Sequence, residues 1–307
     1  MISTPQFAEV DISDWTPEGI EPLGTKPKMW LIDPSTDEMW LFKTTTSNKR
    51  ADGSEYAKGD DWAERIATEV GVQLGLPVAT TELVFVDVGD ERSLGIISRK
   101  VLSDSESLIH GNELLADVGV VGETTRDRTG YTLEAVRLAL EAVAPPTGGE
   151  PFTAWEWFVG YLVLDALIAN TDRHQENWAV IENGGRRLAP TFDHASSLGF
   201  LLDDADRELR MRTADVNRTV AAYALRAKSK FEGSLHPCDV AHVGLGMVRK
   251  EVREHWLQRA ASISSLQPIV DRMPDHRMSE PSRRFAVEVF AANRARTLLH
   301  PPYTVES

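Results

Sequence analysis

The chain has 307 residues, of which 42% are apolar and 26% charged, the composition of an ordinary globular protein with room for a large core. Its net charge of −14 disfavours direct nucleic-acid binding, because phosphate contacts need clustered lysines and arginines. A single cysteine, Cys238, excludes an internal disulfide and a thiolate zinc site, and it fits a reducing cytoplasm.

No segment of the sequence predicts a membrane protein. The most hydrophobic stretch, residues 152–169, carries Glu156 and Asp165 and is shorter than the roughly 20 apolar residues that a membrane span needs. The N-terminus has neither the basic region nor the apolar region of a signal peptide. We therefore expect a cytoplasmic protein that does not enter a membrane.

The first hundred residues predict a small β-rich unit. Residues 1–23 are polar and contain several prolines, so we expect an irregular arm there. Apolar runs separated by turn residues predict one hairpin across 29–44 and another across 80–102. The polar residues 45–60 predict a loop.

One helix is expected between the two hairpins. Apolar residues recur at helical spacing over residues 61–74. Asp61, followed three residues later by Glu64, is a typical N-terminal cap, and Gly75 with Pro77 predicts the end of the helix.

The remainder of the chain is predicted to be mainly helical. A polar connector at 103–112 is followed by an amphipathic helix over 131–143. Thr153 and Glu156 have the spacing of a capping box, and they open an apolar helix over 154–169.

A short hairpin with its turn at Gly184–Gly185 comes next, and helical patterns then alternate with polar breaks over residues 205–300. The predicted fold class is α+β. We expect a small β-rich lobe over residues 1–102 and a larger helical lobe over 103–307.

The segment ANTDRHQENW, residues 169–178, holds the residues best suited to catalysis. Asp172 and Asn177 have the spacing D-x-x-x-x-N, and Asp193 follows them one hairpin later. In phosphoryl transfer, one carboxylate accepts the proton of the substrate hydroxyl, while an amide oxygen and a second carboxylate bind Mg²⁺. The catalytic loop of kinases has the same spacing. The pattern therefore favours phosphoryl transfer.

Two other interpretations of this segment stay open at the level of sequence. It could be a solvated loop after a helix that ends at Asn170. His174 and His194, each close to a candidate aspartate, could instead belong to the metal cluster of a hydrolase. We favour a third role for His174, which is to hold the loop together by hydrogen bonding.

Lys43 ends an apolar strand in the N-terminal unit. A lysine that points inward there could neutralise nucleotide phosphates, whereas one that points outward would be a solvated charge at a strand edge. Glu64 or Glu69, on the following helix, could pair with Lys43, and helical spacing does not decide between them.

The segment GTKPK, residues 24–28, precedes the first predicted hairpin. It could lie over phosphates through its backbone N–H groups and through Lys26 or Lys28. An ordinary turn is the alternative.

These segments together resemble the HipA-type kinases, which are bacterial Ser/Thr protein kinases named after the toxin of a toxin–antitoxin pair. Related loops occur in phosphatidylinositol-kinase-like proteins, which share the broader fold. The resemblance extends over roughly residues 24–200 and rests on five segments in order: GTKPKMWLI, WLFKT, AERIATEVGVQLGLPVATTEL, DALIANTDRHQENWAV and LAPTFDHASSLG.

The resemblance implies a two-lobed protein-kinase-like fold that binds ATP between the lobes. It implies Asp172 as the catalytic base and Asn177 and Asp193 as the ligands of Mg²⁺. A hydroxyl residue near the phosphate loop can be autophosphorylated in that family, and Thr25 is the nearest candidate. The residues expected to contact ATP are Gly24, Thr25, Lys26, Lys28, Lys43, Glu64 and His174.

The expected function is ATP- and Mg²⁺-dependent phosphorylation of Ser or Thr in a protein. The alternatives are a kinase of the same fold that acts on a small molecule or lipid headgroup, and a pseudokinase that binds nucleotide without turnover. Members of the family carry a further N-terminal subdomain that contacts an antitoxin, and only about twenty residues precede Gly24. We therefore expect a minimal kinase, or one whose antitoxin-binding piece is a separate accessory subunit.

Overall fold

A computed structural model describes residues 5–20, 28–120 and 128–299, and it confirms an α+β fold with a β-rich N-terminal part and a helical C-terminal part. The strands are β1 (Glu9–Asp11), β2 (Thr16–Ile20), β3 (Lys28–Ile32), β4 (Met39–Thr44), β5 (Ser47–Lys49), β6 (Glu55–Ala57), β7 (Thr81–Val88), β8 (Glu91–Arg99), β9 (Ser107–His110), β10 (Ala179–Glu182) and β11 (Arg186–Leu188). The helices are α1 (Asp60–Leu74), α2 (Gly111–Asp117), α3 (Leu133–Ala139), α4 (Ala154–Ile168), α5 (Asp204–Arg212), α6 (Val220–Ala224), α7 (Pro237–Gly246), α8 (Lys250–Ser262), α9 (Gln267–Val270) and α10 (Glu280–Leu299).

A six-stranded sheet forms the N-terminal part, in the order β1-β7-β8-β4-β3-β2. The predicted hairpins are present as the antiparallel pairs β3–β4 and β7–β8, and β4 lies beside β8. The predicted hairpin around Gly184–Gly185 is also present, as β10 and β11, and β9 pairs with β10 in a separate three-stranded sheet. Pairing of β4 with β8 places Lys43 in the middle of the large sheet, opposite Ile96.

Three segments predicted to be irregular contain strands. The arm over residues 1–23 supplies β1, which runs parallel to β7, and β2, which pairs with β3 across a bulge. The loop over 45–60 contains the short hairpin β5–β6, and the connector over 103–112 contains β9. Among these strands, β2, β5 and β6 are almost entirely exposed, so their partners in the fold define them and their own composition does not.

Helix α1 lies between the sheet and the helical part and contacts β7, β8 and α4. It ends at Gly75 as predicted, where a left-handed φ of 79° lets the glycine N–H bond the carbonyl oxygen of Val72. The predicted cap of Asp61 and Glu64 is wrong. Gly59 precedes the first turn without a side-chain cap, while Asp61 pairs with Arg277 at 3.0 Å and Glu64 turns towards His194.

Helix α4 runs through the centre of the helical part. Its sequence is apolar on every side, and all of its residues except Trp157 are buried, mainly against α7 and α10. The predicted capping box is present: the Thr153 hydroxyl accepts from the Glu156 N–H at 3.2 Å, and the Glu156 carboxylate accepts from the Thr153 N–H at 2.9 Å. Each large apolar side chain buried here contributes about 1.5–3 kcal/mol, so α4 is a rigid base for the loop that follows it.

The helix predicted over 131–143 is shorter than expected. Thr132 caps α3, which ends before Leu140. The predicted domain boundary at residue 102 falls between β8 and β9 and stays a prediction. Within the described ranges, no helix combines the length and the apolar composition needed to cross a membrane.

Candidate active site

A cleft of about 300 Å³ lies between the large sheet and the helical part. Its floor is polar, and part of its wall is apolar, formed by Leu41, Ile96, Val101, Leu108 and Phe192. Every predicted site residue that the structure describes lines this cleft: Lys28, Lys43, Glu64, Asp172, His174, Asn177 and Asp193. The fold therefore brings together residues that are up to 165 positions apart in the chain, from Lys28 to Asp193.

The loop after α4 is anchored by one buried arginine. Arg173 is 2% exposed and forms a two-pronged ion pair with Asp165 of α4, at 2.8 Å and 2.9 Å. It also donates to the carbonyl oxygen of Asn177 at 2.5 Å and to the Thr191 hydroxyl at 3.0 Å. Burial opposes the charge of the guanidinium, but the Asp165 carboxylate outweighs burial and raises the pKa of Arg173. Arg173 thus ties the helix, the loop and the segment leading to Asp193 into one unit.

Asn170 links α4 to the loop, but it is not the helix cap. Ala169 occupies the left-handed capping position, with φ 54°. The Asn170 side chain donates to Asp165 at 2.7 Å and accepts from the Asp172 N–H at 3.0 Å. Because its loop is bonded on both sides to buried groups, Asp172 is held at a fixed place in the cleft.

Asn177 and His174 are ordered by the loop itself. The Asn177 amide nitrogen donates to the carbonyl oxygen of Asp172 at 2.7 Å, which leaves its amide oxygen as the group able to bind a cation. The His174 Nδ1 accepts from the Glu176 N–H at 3.2 Å, so the imidazole helps to close the loop. Burial lowers the pKa of His174, which favours the neutral ring.

Asp193 follows the β10–β11 hairpin on the helical side of the cleft, in a left-handed conformation with φ 60°. That conformation is uncommon outside glycine and is found at sites where the surrounding structure enforces it. Here it turns the carboxylate towards the sheet, while the next N–H, that of His194, donates to Glu64 at 2.6 Å. Burial alone would favour the protonated acid, but Lys43 and Lys28 outweigh it and lower the pKa of Asp193.

Both lysines on the sheet side of the cleft face this carboxylate. The Nζ of Lys43 lies 2.9 Å from Asp193 Oδ1, and the Nζ of Lys28 lies 3.6 Å from Oδ2. Burial opposes the charge on Lys43, but Asp193 and Glu64 outweigh it and raise its pKa. Lys43 therefore points inward and is charged, and the alternative of a solvated charge at a strand edge is wrong.

The structure distinguishes between the two glutamates considered as neighbours of Lys43. Glu64 is buried in the cleft, where it accepts from the His194 N–H, and its charge acts on Lys43. Burial alone would raise the pKa of Glu64, but His194 and Lys43 outweigh it and lower that pKa. Glu69 points away and binds Arg65 at 2.7 Å and Arg272 at 3.0 Å.

The predicted phosphate loop is only partly described. Gly24, Thr25 and Lys26 lie outside the described residues, and their predicted contacts with ATP stay predictions. Lys28 is described, and it is the first residue of β3.

Sequence reasoning missed a lysine that contacts the candidate catalytic aspartate. The Nζ of Lys230 lies 3.1 Å from Asp172 Oδ1. Lys230 belongs to a connection that is fixed by a stack of Phe231 on Tyr131, with ring centroids 4.4 Å apart. It is 58 positions from Asp172 and carries no local motif, so no sequence signal pointed to it.

The donor set fits a magnesium-bound nucleotide. Asn177 and Asp193 offer an amide oxygen and a carboxylate, and Mg²⁺ in nucleotide sites commonly uses one or two protein oxygens together with phosphates. Lys28 and Lys43 offer the positive charge that phosphates need. Among the described residues, no group of three or more His, Cys, Asp or Glu side chains is arranged to hold a metal ion, and a hydrolase cluster would require such a group.

The fold is kinase-like. It matches the proinflammatory kinase CtkA of Helicobacter pylori with a TM-score of 0.67, over 95% of this chain and 96% of that chain, at 17% sequence identity. Residues 21–273 match the model of the HipA-like C-terminal domain, so the chain belongs to that family. The resemblance seen in the sequence is thereby confirmed.

A second solved structure, HipA of Shewanella oneidensis MR-1 in complex with HipB and operator DNA, has a TM-score of 0.49 and 12% identity. That match covers 91% of this chain and 65% of the Shewanella chain. The comparison with curated proteins found no matching sequence.

Proposed function

We propose that this protein is an ATP- and Mg²⁺-dependent kinase that phosphorylates Ser or Thr in a protein. One observation carries the proposal: Asp172, Asn177, Asp193 and the two lysines Lys28 and Lys43 all line a single cleft between the lobes. Membership of the HipA-like family and the kinase fold support it. The apolar wall of the same cleft is a suitable surface for the adenine base.

In this proposal Asp172 accepts the proton of the acceptor hydroxyl. The hydroxyl oxygen forms a bond to the γ-phosphorus of ATP, the bond from that phosphorus to the β-bridging oxygen breaks, and ADP leaves. Lys43 and Lys28 stabilise the phosphate charge, and Asp193 with Asn177 would hold Mg²⁺. When bound, the ion would supply neutralisation of the charge on the β- and γ-phosphates. The firm anchoring of the loop by Arg173 suits a reaction whose catalysis depends on positioning.

The first experiment incubates the protein with radiolabelled ATP and Mg²⁺ and follows label on the protein itself and on an acceptor mixture. We expect transfer by the wild type and a loss of at least about 10³-fold in Asp172→Ala, since this change removes the proton acceptor. Asp90→Ala is the matched control, because Asp90 is an exposed aspartate in the turn between β7 and β8, outside the cleft. Equal transfer by wild type and Asp172→Ala would overturn the proposed role of Asp172.

The same reaction separates the two alternatives. Label that appears on a small molecule or lipid headgroup, resolved by thin-layer chromatography, would indicate a kinase of that class. Thermal stabilisation by ATP and Mg²⁺ without any transfer would indicate a pseudokinase. An antitoxin or a separate accessory subunit as a partner stays a prediction.

A further inference from the structure

Residues 209–230 carry a charge opposite to that of the whole protein. This stretch contains six lysines and arginines and one aspartate, whereas the chain has a net charge of −14. It comprises the end of α5, a connection, α6 and the segment that follows. Arg212, Arg218, Arg226 and Lys228 are exposed. We call this exposed stretch the 209–230 surface.

The 209–230 surface also exposes apolar side chains. Val216 is 75% exposed, Leu225 60% and Leu209 48%, and both α5 and α6 are packed on their other side against α10. Large apolar side chains beside positive charges are what a polypeptide partner contacts, since it offers both carboxylates and apolar side chains.

The surface leads directly to the catalytic residues. Lys230, at its end, contacts Asp172 at 3.1 Å. Arg226 is four residues earlier, so the two Cα atoms are at most about 14 Å apart, which is the length of about four extended residues. Arg226 also donates to the carbonyl oxygen of Asn217 at 2.6 Å, which places the connection containing Arg218 beside it.

We propose that the 209–230 surface binds the acceptor protein and selects an acidic segment around the phosphorylated hydroxyl. This inference rests on the proposed kinase function, and it adds the substrate class. A hydroxyl beside Asp172 would have its neighbours, within about five positions, over Arg226, Lys228 and Arg218. Glutamates or aspartates at those positions would therefore be favoured.

A nucleic acid is the less suitable occupant. The remainder of the protein is strongly acidic and would repel a phosphate backbone that extends beyond this surface. A short acidic segment needs only the local positive charge, and Val216 and Leu225 can pack against its apolar side chains.

The test compares three fluorescent peptides that share one central serine and differ only in flanking residues, which are Glu, Gln or Lys. Binding is measured by anisotropy at low salt, independently of catalysis. We expect the Glu peptide to bind about tenfold more tightly than the Gln peptide, with a preference that weakens as salt screens the charges.

Two double variants that change the net charge equally distinguish the effect of the 209–230 surface on peptide binding from the effect of the protein's net charge. In R218E/K228E we expect the preference to reverse in favour of the Lys peptide. In R137E/R284E, which alters two exposed arginines on α3 and α10, the preference for the Glu peptide should be unchanged. Neither Arg218 nor Lys228 has an ion-pair partner among the described residues, so these changes should not affect folding. A melting temperature for each variant checks this.

Equal binding of the Glu and Gln peptides, or equal effects of the two double variants, would overturn the inference. Displacement of the fluorescent Glu peptide by double-stranded DNA at a lower concentration than by the unlabelled Glu peptide would also overturn it, because a nucleic acid would then be the better occupant. Parallel reactions with ATP keep the two proposals apart. Selective binding of the Glu peptide without transfer supports the surface and contradicts the kinase function, whereas transfer to all three peptides alike supports the kinase and contradicts the surface.

Discussion

The two sides of the cleft are held in different ways. On the helical side, Asp172 and Asn177 belong to a loop that Arg173 binds to the buried helix α4 and to the segment leading to Asp193. On the sheet side, Lys28 and Lys43 reach Asp193 through ion pairs that cross from one lobe to the other. The helical side is fixed within its own lobe, and the sheet side depends on how the two lobes meet.

Because of this difference, we expect substitutions in the buried network of the helical side to affect stability and substitutions of the lysines on the sheet side to affect phosphate binding. The buried pair of Arg173 and Asp165 has no water to replace a lost partner, so breaking it should cost folding free energy. Lys28 and Lys43 both pair with Asp193, whose side chain is 26% exposed, so removing one lysine leaves the other counterion in place and should cost catalysis more than folding free energy. Three substitutions test this division, from the largest expected effect to the smallest.

Asp165→Asn should destabilise the protein by about 3–5 kcal/mol, because it leaves the Arg173 charge buried without its counterion. The measurement is the free energy of unfolding from denaturant titration. Asp87→Asn is a matched control: Asp87 also forms a two-pronged pair with an arginine, Arg92, at 2.8 Å and 2.7 Å, but both side chains are largely exposed. Its loss should be much smaller, and similar losses in the two variants would show that the loop does not depend on a buried pair.

Lys43→Met should lower the rate of phosphoryl transfer by about 10²–10³-fold, the usual effect of removing one fixed donor to a reacting group. The stability should fall much less than in Asp165→Asn, because Lys28 remains as a counterion of Asp193 and the methionine side chain retains most of the buried alkyl length. Steady-state transfer and a denaturant titration on the same preparation measure both quantities. Lys49→Met, an exposed lysine on β5, is the control and should leave both unchanged. A large loss of stability with an unchanged rate would reverse the division between the two sides.

The sequence predicts the helical side of the cleft well because its signals are local. The capping box at Thr153, the apolar helix behind it and the spacing of Asp172 and Asn177 all lie within 25 residues. The turn at Gly184–Gly185 then brings Asp193 back to the same place. Each of these features depends on near neighbours in the chain, and each is present.

The sheet side was less predictable because its geometry depends on distant partners. Strands β1 and β2 are polar and were expected to be irregular, since their pairing with β7 and β3 is not visible in their own residues. Glu64 has the spacing of a helix cap, but the backbone of His194, 130 positions away, takes its carboxylate instead. Lys230 was missed for the same reason, because its contact with Asp172 is made by the tertiary fold alone.

Substitution of Lys230 should have the smallest of the three effects. It tests how far the helical side of the cleft extends, because Lys230 lies on that side but is not part of the buried network. Its side chain is 32% exposed, and an ion pair at that exposure contributes at most about 1 kcal/mol. Lys230→Ala should therefore lower kcat about fivefold or less at saturating acceptor, through the lost orientation of Asp172, and Lys230→Arg should restore most of it.

The control for Lys230 is Lys228→Ala, which removes a nearby charge of the 209–230 surface. In the described part of the chain, Lys228 forms no hydrogen bond or ion pair with Asp172. This variant should therefore leave kcat at the wild-type value and raise only the KM for an acidic acceptor. If Lys230→Ala likewise changed KM alone, Lys230 would belong to the acceptor surface, and the orientation of Asp172 would rest entirely on the Arg173 network. A fall in kcat specific to Lys230→Ala would show instead that the helical side extends beyond its buried core to a partly exposed lysine.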